Sequence, residues 1–135
     1  ETEWGFSCMG YEISGALGIK MAKPDQDVIV FVGDGSYLLH NSDIYSSVIY
    51  EKKLIIIVCD NGGHMVINRL QLAKGGKEYI SNLKAARAKN YIEVDFASHA
   101  ASMGAISENA KSISDLCIPK DNAPTVYVTY IVSSS

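Results

Sequence analysis

The sequence has little cysteine, no excess of basic charge and no long apolar run, and each shortage removes a class of function. Three cysteines, Cys8, Cys59 and Cys117, are odd in number and far apart, with no CxxC pair. That argues against a disulfide frame or a cysteine zinc site and predicts reduced, structural thiols in a cytoplasmic protein. The formal charge is −3 and the pI about 5.5, so neither nucleic acid nor an anionic membrane is an expected partner. Lys74, Lys77, Lys84, Arg87 and Lys89 are loosely spaced with no interleaved aromatic platform, as on a solvated helix face. The longest purely apolar run, Leu54–Cys59, falls far short of a membrane span. No charged-then-apolar signal segment stands at the start, and "ETEWGFSCMG" opens without Met, as expected of a piece of a larger polypeptide.

What is present suits one domain: 135 residues, 47% of them hydrophobic, enough for a real core. Val28–Val32, Leu54–Cys59 and Thr125–Val132 read as buried strands. The first two are continuous rather than alternating, the pattern of parallel strands covered by helices on both faces. Between them lie helical patterns. Ile13, Leu17 and Met21 recur every four residues before Pro24 closes the segment. Asn41 or Ser42 can cap a helix carrying Ile44, Tyr45, Val48 and Ile49, and Asp95 can cap "FASHAASM", which ends at Gly104. The alternation predicts an α/β fold, a three-layer α/β/α arrangement around a parallel sheet. One stretch fits poorly: "SISDL" at 112–116 begins like a helix but meets Pro119 after barely a turn. A parallel return normally needs a longer crossover, so residues are expected to be missing there.

Two strand ends carry unusual loops, Gly33-Asp34-Gly35-Ser36 and Asp60-Asn61-Gly62-Gly63. In open parallel sheets ligands sit at the carboxyl ends of strands. A dinucleotide fingerprint needs a third glycine where Leu38 stands, and a Walker-type loop needs a lysine that is absent. What remains is a loop with free backbone N–H groups for a phosphate and one hard oxygen ligand, Asp34, for a cation. Asn61 offers an amide oxygen and Gly63 an unobstructed carbonyl. Together the three make half an octahedron, which diphosphate oxygens and water would complete, as Mg²⁺ is usually held. The second loop follows the first by one helix and one strand, so adjacent parallel strands would bring both to one edge. Two ordinary polar turns are the plainer alternative.

Gly33-Asp34-Gly35-Ser36 followed by Asp60-Asn61 at that separation resembles the thiamine-diphosphate motif of the acetolactate synthase and pyruvate decarboxylase superfamily. "GFSCMGYEISGALGIKMAKPDQDVIVFVGDGS" resembles the strip leading into that motif. "INRLQ" at 67–71 and "EVDFASHAASMGA" at 93–105 look like the branch of trihydroxycyclohexane-1,2-dione hydrolases of inositol catabolism. Two departures stand out: the usual first Asn is Asp60 here, and "GGHMV" at 62–66 replaces a stretch that usually contains an aromatic.

The resemblance implies that residues 1–135 form the C-terminal thiamine-diphosphate-binding (pyrophosphate-type) domain of a multidomain chain. It implies Mg²⁺ on Asp34, Asn61 and the Gly63 carbonyl, with the diphosphate on Gly33, Gly35 and Ser36. Ser7 and Met9 would line the aminopyrimidine, although Met9 suits core packing equally. His40 could face the cofactor and His64 the substrate, while His99 is expected to be structural. Arg69, followed by Gln71, is either a substrate contact on a mobile cover or part of an exposed helix face. The cofactor would open a cyclic 1,2-dione (trihydroxycyclohexane-1,2-dione to 5-deoxy-glucuronate). The activating glutamate would come from another domain, usually of a partner subunit in a homodimer or homotetramer, so the fragment alone should catalyse nothing. A related decarboxylase or carboligase, and a non-catalytic α/β interaction module, are the alternatives.

Overall fold

The computed structural model describes residues 8–83, 92–116 and 125–129. The expectations placed on Ser7 and Cys117 lie outside them. The elements run α1 (Tyr11–Ala22), β1 (Ile29–Gly33), α2 (Asp34–Leu39), α3 (Asp43–Ile49), β2 (Ile55–Cys59), α4 (Met65–Ala73), α5 (Phe96–Ser102), β3 (Ile106–Ala110), a 3₁₀ turn (Ile113–Asp115) and β4 (Thr125–Thr129). All strand pairs are parallel, in the order β1-β2-β4-β3. The α/β class with a parallel sheet is therefore the observed one.

Hydrophobic residues at every second strand position put Val28, Val30 and Val32 of the β1 segment beside Leu54, Ile56 and Val58 of the β2 segment. Onto this face pack Ile13, Ala16 and Leu17 of α1, Tyr37 of α2, Ile44 of α3, and Phe96, Ala97 and Ala100 of α5. Tyr37 meets Phe96 edge to face, with ring centroids 5.3 Å apart. Lys20 is buried at the end of α1, where its ammonium donates to the carbonyls of Pro24 (2.8 Å) and Gln26 (2.6 Å) and fixes the turn into β1.

Three expectations need correction. β2 is buried on both faces, but β1 is an edge strand whose outward residues Ile29 and Phe31 are 49% and 66% exposed. Its unbroken apolar run had predicted cover on both sides, and among the described residues only the inner face has it. A fourth strand, β3, precedes the last one. Its sequence, ISENA, has a single β-branched residue, Ile106, too few to mark a strand, and it lies at the opposite edge with mostly exposed positions. The "SISDL" stretch is not a crossover helix but contains a single 3₁₀ turn, in which Asp115 accepts from the Lys111 and Ser112 N–H groups. Among the described residues no helix is long and apolar enough to cross a membrane.

Candidate cofactor and cation site

Strand register assembles the site. Gly33 pairs with Cys59, so the next residues, Asp34 and Asp60, leave neighbouring strands side by side at the carboxyl edge. The chain turns into helix at once after Gly33, and Asp34 is the first residue of α2 rather than the middle of a loop. Its carboxylate is 2% exposed. Burial, and then the charge of Asp60, push its pKa above the ordinary 3.8, against a smaller pull from the N–H groups of Asn61, Gly35 and Gly63. Burial and Asp34 likewise push the Cys59 thiol up.

The side-chain amide of Asn61 lies 2.9 Å from the Gly63 carbonyl oxygen and 3.2 Å from Asp34 Oδ1. With its nitrogen turned inward it donates to both. With its oxygen inward, three oxygens of three different chemical types face one point, an arrangement that needs a cation between them. Among the described residues no three His, Cys, Asp or Glu side chains gather around a common point, here or elsewhere.

Gly63 has φ +126°, and an added Cβ would stand 2.7 Å from the Ser81 carbonyl oxygen, so only glycine presents its carbonyl here. Gly35 is closed from above: an added Cβ would lie 2.5 Å from His64 Nδ1. The imidazole of His64 thus rests on the backbone of the first loop, and its Nδ1 is buried without a hydrogen-bond partner.

A cleft of about 280 Å³ opens above these groups, walled by Met9, Gly33, Gly35, Ser36, Asn61, Gly63 and His64. Asp34 lies beneath its floor. Two expected residues stand elsewhere. His40 ends α2 on the exposed side, where its Nδ1 is 3.1 Å from Ser14 Oγ, and that hydroxyl also donates to Asp43. Arg69 points to solvent from α4, outside the cleft wall. His99 bonds the buried Tyr37 hydroxyl at 2.9 Å. Met65, Val66 and Ile67, not among the expected site residues although Met65 and Val66 lie in the "GGHMV" stretch that departs from the family pattern, complete the wall.

Fold and cleft together define an α/β domain that offers a mixed oxygen set and a glycine-lined floor at the carboxyl edge of a parallel sheet, a construction suited to a metal-bound anion. Residues 2–117 match the family described as "Thiamine pyrophosphate enzyme, C-terminal TPP binding domain", and the chain belongs to that family. It is 40% identical over 114 residues to the 3D-(3,5/4)-trihydroxycyclohexane-1,2-dione hydrolase of Halalkalibacterium halodurans, covering 84% of this chain and 18% of that one. To the enzyme of the same name from Bacillus subtilis it is 35% identical over 130 residues, 96% of this chain and 20% of the relative. The chain therefore spans about a fifth of the length of these relatives. The solved Rhodococcus jostii RHA1 thiamine diphosphate-dependent 4-hydroxybenzoylformate decarboxylase is similar with a TM-score of 0.74 at 21% identity, over 92% of this chain and 23% of that one. That likeness is one of fold.

Proposed function

We propose that this chain is the cofactor domain of a thiamine-diphosphate-dependent hydrolase that opens a cyclic 1,2-dione of inositol catabolism by cleaving a carbon–carbon bond. The substrate class is the one in the names of the relatives at 35–41% identity. The observation that carries the cofactor reading is the Asn61 amide facing both Asp34 Oδ1 and the Gly63 carbonyl beneath a glycine-floored cleft.

Asp34, Asn61 and the Gly63 carbonyl would hold Mg²⁺. A cation suits this carboxylate because it offsets burial and the charge of Asp60, both of which oppose its ionisation. Gly33, Gly35 and Ser36 would receive the diphosphate, since Gly33 leaves open space where a Cβ would stand and Ser36 adds a hydroxyl. Met9, Val66 and Ile67 give the cleft apolar walls that exclude water from the organic part of the cofactor. Bound thiamine diphosphate supplies a carbon nucleophile and an electron sink for the bond that breaks. The activating carboxylate, and a partner subunit if one provides it, belong to protein outside these residues. The free thiol of Cys59 fits a cytoplasmic setting.

Calorimetry on the full-length protein tests this reading, with thiamine diphosphate titrated in with and without Mg²⁺, followed by turnover of the cyclic dione against pyruvate. Metal-dependent binding and dione opening are expected. Absence of metal-dependent binding overturns the cofactor reading, and turnover of pyruvate alone overturns the hydrolase reading.

A further inference from the structure

Resting on that reading, we propose that Glu78 is a positioning residue for the cation site: it ties to α4 a strap of residues 78–83, whose backbone is bonded to the 62–64 loop, and so fixes the direction of the Gly63 carbonyl. The strap lies along the loop in a short antiparallel pairing between Gly63 and Asn82. The His64 N–H donates to the Ser81 carbonyl at 2.8 Å, and the Leu83 N–H donates to the Gly62 carbonyl at 2.9 Å. On its other side the Gly63 carbonyl accepts the Met65 N–H at 3.0 Å, which closes a tight turn around this carbonyl.

Beside these backbone bonds, a single side-chain carboxylate oxygen ties the strap to α4. Glu78 Oε1 accepts from Asn68 Nδ2 at 3.1 Å and from Asn82 Nδ2 at 2.8 Å, joining α4 to the strap. Asn68 is 3% exposed. Its Oδ1 has no hydrogen-bond partner, so its amide nitrogen is the satisfied end, and Glu78 is what satisfies it. Bonds to an ionised acceptor are the stronger kind. Gly62 and Gly63 both have left-handed φ, at +90° and +126°, so nothing in their own side chains resists rotation. The strap supplies that resistance.

Cation size provides the readout. Mg²⁺ demands near-ideal octahedral geometry at about 2.0–2.1 Å, whereas Ca²⁺ accepts six to eight oxygens at roughly 2.3–2.6 Å in flexible arrangements. A carbonyl set loose should therefore weaken Mg²⁺ more than Ca²⁺, while simple loss of stability would weaken both alike. In full-length protein with saturating thiamine diphosphate, Glu78→Ala should raise the Mg²⁺ dissociation constant about tenfold, the loss expected for about 1.4 kcal/mol, and the Ca²⁺ constant much less. Glu78→Gln, which keeps the acceptor oxygen, should recover most of the Mg²⁺ affinity. Asn82→Ala removes one of the two contacts and serves if Glu78→Ala does not fold; a smaller loss with the same metal bias is expected. Equal weakening of both metals, or no change in either, overturns the inference while leaving the functional reading intact. Failure of the wild type to bind thiamine diphosphate in a metal-dependent way overturns both.

Discussion

The helix-covered face of the sheet and its carboxyl edge treat buried polar groups in opposite ways. Under the helices, among the described residues, most such groups are answered, Glu12 Oε2 of α1 being the exception. The Tyr37 hydroxyl has His99, the Ser47 hydroxyl has the Ile44 carbonyl, and the Lys20 ammonium has two carbonyls. At the edge, Asp34 carries a carboxylate that its surroundings disfavour, Asn61 faces two oxygens, and His64 Nδ1 has no partner. Buried polar groups are normally satisfied, so the disfavoured Asp34 carboxylate, the Asn61 amide facing two oxygens and the partnerless His64 Nδ1, gathered at one edge, indicate a ligand's place rather than poor packing.

Asp34→Asn should break this contrast most strongly. A neutral amide cannot balance a divalent cation, so Mg²⁺-dependent cofactor binding should fall more than about a hundredfold, beyond the range typical of outer-sphere partners. The cofactor-free protein should nevertheless melt at a higher temperature near neutral pH, because the substitution removes a buried charge beside Asp60. Calorimetry and thermal melts on the same preparation check both halves. A variant that loses binding and stability together would mean that the edge is ordinary structure.

Tyr37→Phe asks the converse question of the core. It strips the partner from His99 and should cost about 1–2 kcal/mol in a denaturant melt, with cation affinity unchanged. Burial holds the Tyr37 hydroxyl up at about 12. The folded state therefore keeps this proton more tightly than the unfolded chain. That contribution is whole below the ordinary 10.0 and is lost as pH rises toward the folded value.

Much of this division was legible in the sequence, for reasons that also explain what was not. Val28–Val32 and Leu54–Cys59 are dense in β-branched residues, and burial needs little else to specify them. The pairing of Asp34 with Asn61 could be read because parallel strands in register carry their ends to one edge. Exposure of Ile29 and Phe31 could not, since a run of apolar residues looks the same whether one face or two are covered. His40 and Arg69 were expected near the site because they follow its loops in sequence, but neither lines the cleft: His40, just past the end of α2, lies beside Ser14, and Arg69 is exposed on α4. The strap at 78–83 carries no motif at all. Its hold on Gly63 is a tertiary contact made through backbone groups, which every residue type possesses.

A smaller effect separates stability from function at the contact between the two loops. Gly35→Ala drives a methyl into the His64 ring, a flexible group that can swing aside, so the fold should lose little. The displaced imidazole and the new methyl should still weaken thiamine diphosphate binding, by about tenfold if roughly 1.4 kcal/mol of contact is lost. Pairing it with His64→Ala should return part of that affinity, because the clash needs both groups. Strict additivity of the two substitutions in a binding cycle would show that the ring and the glycine do not interact.

The smallest effect is also the cleanest in sign. Asp95 caps α5 on the helix-covered side, accepting from the Ser98 N–H at 3.0 Å and the Ser98 hydroxyl at 2.7 Å, and these bonds lower its pKa from 3.8. Its contribution to stability is present above 3.8 and lost as pH falls through the lowered value. Asp34 runs the other way: its raised pKa means that the cofactor-free fold loses stability as pH rises above 3.8 toward the raised value. Thermal melts across the acid range should therefore separate the two carboxylates. Asp95→Ala should flatten the fall in stability on acidification, whereas Asp34→Asn should steepen it by removing the opposing slope. Shifts in the same direction would mean that both groups are satisfied alike, and the contrast between core and edge would fail at the atoms that define it.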